Sequence, residues 1–104
     1  MHNKWELWWA DVRFEDDLSA VKRRSVLVVE PGVYFSICLK VTTHQPRPEF
    51  QGEYIIKEWK AAGLSKESTI RISKRLRISS KSLVKKIGML QMIDIYCVQK
   101  MLAV

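Results

Sequence analysis

Two short clusters of basic and hydroxylic side chains are the groups in this chain best suited to chemistry. Lys22-Arg23-Arg24 stands just ahead of an apolar run, and Thr42-Thr43-His44 ends an alternating one. A guanidinium grips phosphate through two parallel hydrogen bonds and stabilises charge that builds up on it. A hydroxyl donates to the same oxygens. RNA carries its own nucleophile, the 2′-OH, so a protein that orients this oxygen and stabilises the phosphorane cleaves RNA without a metal or a covalent enzyme intermediate. Imidazole is the side chain that exchanges protons near neutral pH, which makes His44 a candidate for assisting proton transfer, although an exposed histidine at a strand end more often does nothing. Arg71, Arg75 and Arg77 share one parity of residues 69–78. On a strand they would form a ladder with a repeat of about 7 Å, close to the phosphate spacing of an extended single strand. On one isolated strand such a face is more often merely solvated.

Other chemistries find little support. There is no Gly-rich phosphate loop and no Gly-x-Ser-x-Gly elbow. His2, His44 and the scattered carboxylates lack metal-site spacing, and two cysteines with two histidines do not compose a zinc set. Cys38 and Cys97 each sit inside an apolar pattern, which suits core residues better than nucleophiles. No metal or cofactor is therefore expected. Two cysteines cannot build a disulfide scaffold. The first residues lack an apolar signal core, and no apolar run approaches the roughly 20 residues needed to span a bilayer. The expectation is a cytoplasmic protein with reduced thiols.

The elements that must position these groups come from 104 residues, 47% hydrophobic and 28% charged, the composition of one globular domain over 1–104. The charge is lopsided. Residues 1–52 are balanced, with 7 basic and 7 acidic groups, whereas residues 53–104 carry the whole +7. A one-sided positive field favours an anionic partner, nucleic acid first and an acidic protein segment second.

Residues 5–14 alternate around Trp8, Ala10, Val12 and Phe14, which predicts a half-buried strand. Residues 15–23 read as a charged loop. Val26-Leu27-Val28-Val29 suits a central strand covered on both faces, and Pro31-Gly32 signals a turn. Residues 33–43 put Val33, Phe35, Ile37, Leu39 and Val41 on one face and more polar residues on the other, until Gln45-Pro46-Arg47-Pro48 ends the strand. Residues 53–59 and 69–78 predict two further strands. Ser79-Ser80 offers an N-cap for a short helix over 81–87 stopped by Gly88. Residues 89–102 predict a second helix with two apolar stripes, one headed by Leu90 and Ile93 and the other by Met92 and Ile95. A helix apolar on more than one side is buried in the fold or packed on another subunit. Five short strands with small C-terminal helices predict a mainly β fold, a compact bent barrel filled by the N-terminal aromatics.

Several segments in order resemble the MazF/PemK toxins of type II toxin–antitoxin systems, over nearly the whole chain. Glu6-Leu7-Trp8-Trp9-Ala10-Asp11-Val12 is similar to that family's acidic, apolar, aromatic start. Arg24-Ser25-Val26-Leu27-Val28-Val29 resembles its Arg-Pro-Val-Leu-Val-Ile signature, and Leu39-Lys40-Val41-Thr42 the strand end that carries its threonine. Ser68-Thr69-Ile70-Arg71-Ile72, then Arg77-Ile78-Ser79, Leu83 and Lys86-Ile87-Gly88, resemble its late strand and the helix after it. The resemblance implies an SH3-like barrel of the CcdB/MazF/PemK type, a homodimer and a cognate antitoxin protein. It also implies metal-independent cleavage of single-stranded mRNA to 2′,3′-cyclic phosphate and 5′-hydroxyl ends.

By the same resemblance Arg24 stabilises the transition state and Thr42 positions the scissile phosphate. Lys22, Arg23, Thr43, His44, Arg71, Arg75 and Arg77 are the RNA-binding candidates. Arg23 and Thr43 are also one-residue alternatives to Arg24 and Thr42. The chain departs from the family at Ser25, where the signature has proline, at Trp5, where it has glycine, and in the loop Asp17–Arg23, which lacks the usual glycines and glutamine. The competing function is a non-catalytic barrel that only binds an antitoxin or poisons gyrase in the manner of CcdB. The ending Met101-Leu102-Ala103-Val104 does not resemble CcdB, and retention of both Arg24 and Thr42 favours the nuclease.

Overall fold

The computed structural model describes residues 2–13, 21–46 and 52–103; Phe14, residues 15–20 of the expected charged loop, Arg47 and Pro48 lie outside them. Six strands form one antiparallel sheet: β1 (Glu6–Arg13), β2 (Val21–Glu30), β3 (Phe35–Thr42), β4 (Glu53–Ile55), β5 (Thr69–Ser79) and β6 (Leu83–Met89). One helix, α1 (Met92–Leu102), comes after them. The spatial order is β4-β5-β3-β2-β1-β6, so β2 and β3 lie centrally and β4 and β6 form the edges.

The apolar run of β2 is continuous because both sides of the sheet are covered. Leu27 and Val29 enter one core cluster with Leu7, Leu39, Val41 and Ile70, closed by Ile95 and Val98 of α1. Val26 and Val28 enter a second cluster with Ala10, Cys38, Ile78 and Leu83. The same double covering corrects the expected polar face of β3, since Ser36 and Cys38 are both buried. Ser36 is tolerated there because its hydroxyl accepts the backbone N–H of Gly32 at 3.2 Å, which ties the Pro31-Gly32 reversal to β3. At the other end of the alternating pattern, Val33 stays exposed ahead of the strand.

Three elements differ from expectation. Residues 21–23 belong to β2 and not to a loop, because Asp11, Val12 and Arg13 of β1 pair with them. The strand over 53–59 is only Glu53–Ile55, after which residues 57–63 turn. The helix over 81–87 is instead a single 3₁₀ turn, Ser80–Ser82, and strand β6. The expected cap is present, with the Ser79 hydroxyl accepting from Lys81 N–H at 3.4 Å, but β1 claims the stretch beyond it as a partner strand.

Two anchors hold the ends of this sheet. Trp5 has φ 74°, a left-handed conformation that glycine adopts at no cost and other residues adopt with strain. That conformation lets Trp5 N–H donate to Val28 at 2.8 Å while its carbonyl accepts from Leu90 N–H at 2.9 Å. The indole packs on the first core cluster, which offsets the strain. At the far end Asp94, fully buried in the first turn of α1, accepts from the backbone N–H groups of Lys57 and Glu58, each at 2.9 Å, and from the Tyr54 hydroxyl. Burial and the Asp94 carboxylate together push the Tyr54 hydroxyl well above its ordinary pKa. No helix among the described residues is long and apolar enough to cross a membrane.

Candidate active site

The pairing of β2 with β3 reaches Val26↔Lys40, and two residues further along each strand stand Arg24 and Thr42. Side chains two apart share a face and cross-strand neighbours share it too, so this register sets Arg24, Lys40 and Thr42 on one side. All three line a cleft of about 280 Å³ with Trp9, Arg23, Ser25, Val41, Thr43 and His44. The two basic and hydroxylic clusters, 18 residues apart at Arg24 and Thr42, thus converge on one space.

Several local bonds shape it. The Thr42 hydroxyl oxygen accepts the backbone N–H of His44 at 3.3 Å, which leaves the hydroxyl proton to be donated outward. Ser25, standing where the signature has proline, donates through its hydroxyl to the Val41 carbonyl at 3.2 Å and braces β2 against β3 beside the cleft. Arg23 is held to Asp11 at 3.1 Å by an exposed ion pair, whose contribution to stability is small but which fixes the direction of its guanidinium. Cys38 is buried, and burial pushes its thiol up to about 12, so it is no nucleophile at neutral pH.

Of the residues singled out from the sequence, Arg23, Arg24, Thr42, Thr43 and His44 come together in the cleft. Lys22 is on β2 opposite Val12, away from the lining. The expected ladder of guanidiniums is divided. β5 pairs Arg75 with Leu39 but Arg71 with Lys40, a register shift that leaves three residues of β5 between two neighbours of β3. Neighbours on a strand face opposite ways, so Arg71 and Arg75 do as well. Arg71 is ion-paired with Glu53 at 3.5 Å, Arg75 is exposed, and Arg77 stacks over the Phe35 ring at 3.6 Å.

Sequence reasoning misses Trp9 and Lys40. Lys40 is within its reach, since it stands two residues before Thr42 on an alternating strand. Trp9 is not, because its place depends on pairing with Ser25 across β1 and β2.

A family model described as PemK-like, MazF-like toxin of type II toxin–antitoxin system matches residues 3–104. The chain is similar in structure to the Mycobacterium tuberculosis toxin MazF-mt6, with a TM-score of 0.66 and 14% identity over 92% of each chain. That likeness concerns the fold. No curated protein matches by sequence. The chain belongs to the PemK-like, MazF-like family of type II toxins, whose partner is an antitoxin and which generally act on RNA.

Proposed function

We propose that this toxin is an endoribonuclease that cuts single-stranded RNA by making the substrate's own 2′-oxygen the nucleophile. The 2′-oxygen bonds to phosphorus, the bond from phosphorus to the 5′-oxygen breaks, and the products are a 2′,3′-cyclic phosphate and a 5′-hydroxyl. The 2′ proton leaves to water or to His44, and the departing 5′-oxygen takes a proton from solvent. No metal is needed, because the nucleophile is internal and the phosphorane charge is met by a guanidinium. Arg24 supplies that charge; a guanidinium stays protonated in proteins and is a poor base, so its part is electrostatic. Thr42 donates its hydroxyl proton to a non-bridging oxygen and fixes the phosphate. Arg23, Thr43 and Lys40 flank it.

The observation that carries this reading is the convergence of Arg24 and Thr42 on a single cleft. The homodimer belongs to the same proposal. α1 buries Asp94, Ile95 and Val98 but leaves Met92, Ile93 and Tyr96 at 80%, 49% and 62% exposure, so each of the two expected apolar stripes is covered only in part and an apolar patch near the start of the helix is left for a second copy. A cognate antitoxin holding the cleft closed completes the reading.

The purified protein is expected to cut single-stranded RNA in EDTA, with mapped ends of the cyclic-phosphate and 5′-hydroxyl type. Arg24→Ala should lower the cleavage rate by about 10²–10³-fold, the scale of removing one transition-state donor, while the dimer persists in solution. Undiminished cutting by that variant overturns the mechanism. Binding of an antitoxin by a protein that leaves RNA intact supports the non-catalytic alternative instead.

A further inference from the structure

Resting on that proposed function, we infer that Trp9 is the base-stacking platform of the cleft, holding a nucleobase next to the scissile phosphate. The other three tryptophans have evident structural employment. Trp5 and Trp59 pack against the first core cluster. Trp8 packs on the second, and its indole N–H donates to Glu6 at 3.0 Å. Trp9 alone among the four is exposed, at 38%, and it lines the same cleft as Arg24 and Thr42. An indole is a large apolar face that is costly to leave in water, so one facing a phosphate-binding cleft calls for a ligand with a flat apolar face of its own.

Strand pairing accounts for the place of the ring. β1 runs in unbroken register against β2, with Trp9 opposite Ser25, and the two breaks in its pairing with β6 skip Ile87 and Val84 of β6. Trp9 therefore lies beside Ser25, which together with its neighbour Arg24 lines the same cleft. Cations grip the phosphate of any nucleotide, but single-stranded RNA is held firmly only when an unstacked base also finds an aromatic face. The cleft combines the two, and a stacking contact is tolerant of base identity because every base has such a face.

The test uses an RNA oligonucleotide carrying the mapped cleavage site, and versions with an abasic residue on either side of the scissile bond. Trp9→Ala should lower kcat/KM on the intact RNA by about 10–100-fold, the range of one base–aromatic stack, and Trp9→Phe should retain most of it. The wild type should lose a similar factor on one of the two abasic substrates. Trp9→Ala should lose nothing further on that substrate, because the contact is already gone. Independent losses that multiply on both abasic substrates would rule the stack out, as would full activity of Trp9→Ala.

A second measurement does not require cutting. The strand with 2′-O-methyl groups cannot attack its own phosphate, and titrating it should quench indole fluorescence in the wild type but not in Trp9→Phe. Equal quenching in the two proteins removes the proposal. Quenching that depends on Trp9, in a protein that leaves RNA whole, retains the platform and overturns the nuclease reading alone.

Discussion

Glu6 shows how far a motif can be read at the level of one residue. Its acidic character is visible as part of the family's opening pattern, but its task depends on its neighbours. It is 5% exposed and accepts from Asn3 backbone N–H at 2.9 Å, the Trp8 indole at 3.0 Å and the Lys86 ammonium at 3.0 Å. Burial by itself raises the carboxyl pKa, yet these donors and the Asn3 side chain outweigh it and bring the value from 4.5 down to about 2. A folded-state pKa below the unfolded one stabilises the fold above pH 4.5, and that contribution is lost as pH falls through about 2. The displacement corresponds to about 3 kcal/mol. Glu6→Gln is expected to be less stable than wild type by a few kcal/mol at pH 7. In urea unfolding at a series of pH values, the gap between the two should narrow as pH falls from 4.5 towards 2. A gap of constant size would remove the charged network as its cause. Arg24 and Thr42 are legible for the opposite reason: each sits at the end of a clear strand pattern, so parity alone brings them near their places.

At the level of elements, the sequence reads well where one force dominates. The run Val26–Val29 could only be a strand covered twice, and the apolar spacing over 89–102 finds the helix, although it forms only from Met92 because Met89 still pairs with Glu6 at the end of β6. It reads poorly where local and tertiary preferences compete. Residues 81–87 have a real cap at Ser79 and a glycine just beyond, the punctuation of a helix, but pairing with β1 outweighs intrinsic propensity over so short a segment. Gly88 accordingly has a different purpose from the helix stop expected of it. A Cβ there would lie 2.0 Å from the Ala62 carbonyl oxygen, and one on Gly63 would lie 2.5 Å from the Ile87 carbonyl oxygen. Two backbones meet here with no room for side chains, which joins the 57–63 turn to the edge strand β6. Gly88→Ala must push main chain apart and is expected to cost about 2–3 kcal/mol in urea unfolding, as overpacked cores do. Lys85→Ala, three residues away on an exposed position of the same strand, should stay within about 0.5 kcal/mol. Equal effects of the two would show that the close approach is relieved at little cost.

At the level of the whole molecule, the net charge and the cleft draw on different halves of the chain. Residues 53–104 hold the entire net +7, yet the cleft cations Arg23, Arg24 and Lys40 all come from the balanced half. Composition reports the field around a protein, whereas strand pairing decides which charges touch a ligand. The two have separable signatures. On the proposed function, the field of exposed Lys74, Arg75, Lys81, Lys85 and Lys86 is expected to accelerate encounter with RNA and to hold the part that extends past the cleft. On the same reading, the cleft cations are expected to act on the nucleotides at the cut. Neutralising each phosphate of a single strand contributes a slope of about 0.7 in the logarithm of affinity against that of salt. With about four phosphates held, a long RNA should lose roughly 50-fold in affinity between about 50 and 200 mM salt. Replacing Lys74 and Arg75 together by Gln should flatten that slope by about 1.4 for long RNA. It should leave the turnover of a trinucleotide spanning the cut unchanged, because that substrate never reaches them. If turnover of the trinucleotide falls with the double substitution, those residues belong to the site itself. If the slope for long RNA does not change, the positive half of the chain serves another partner.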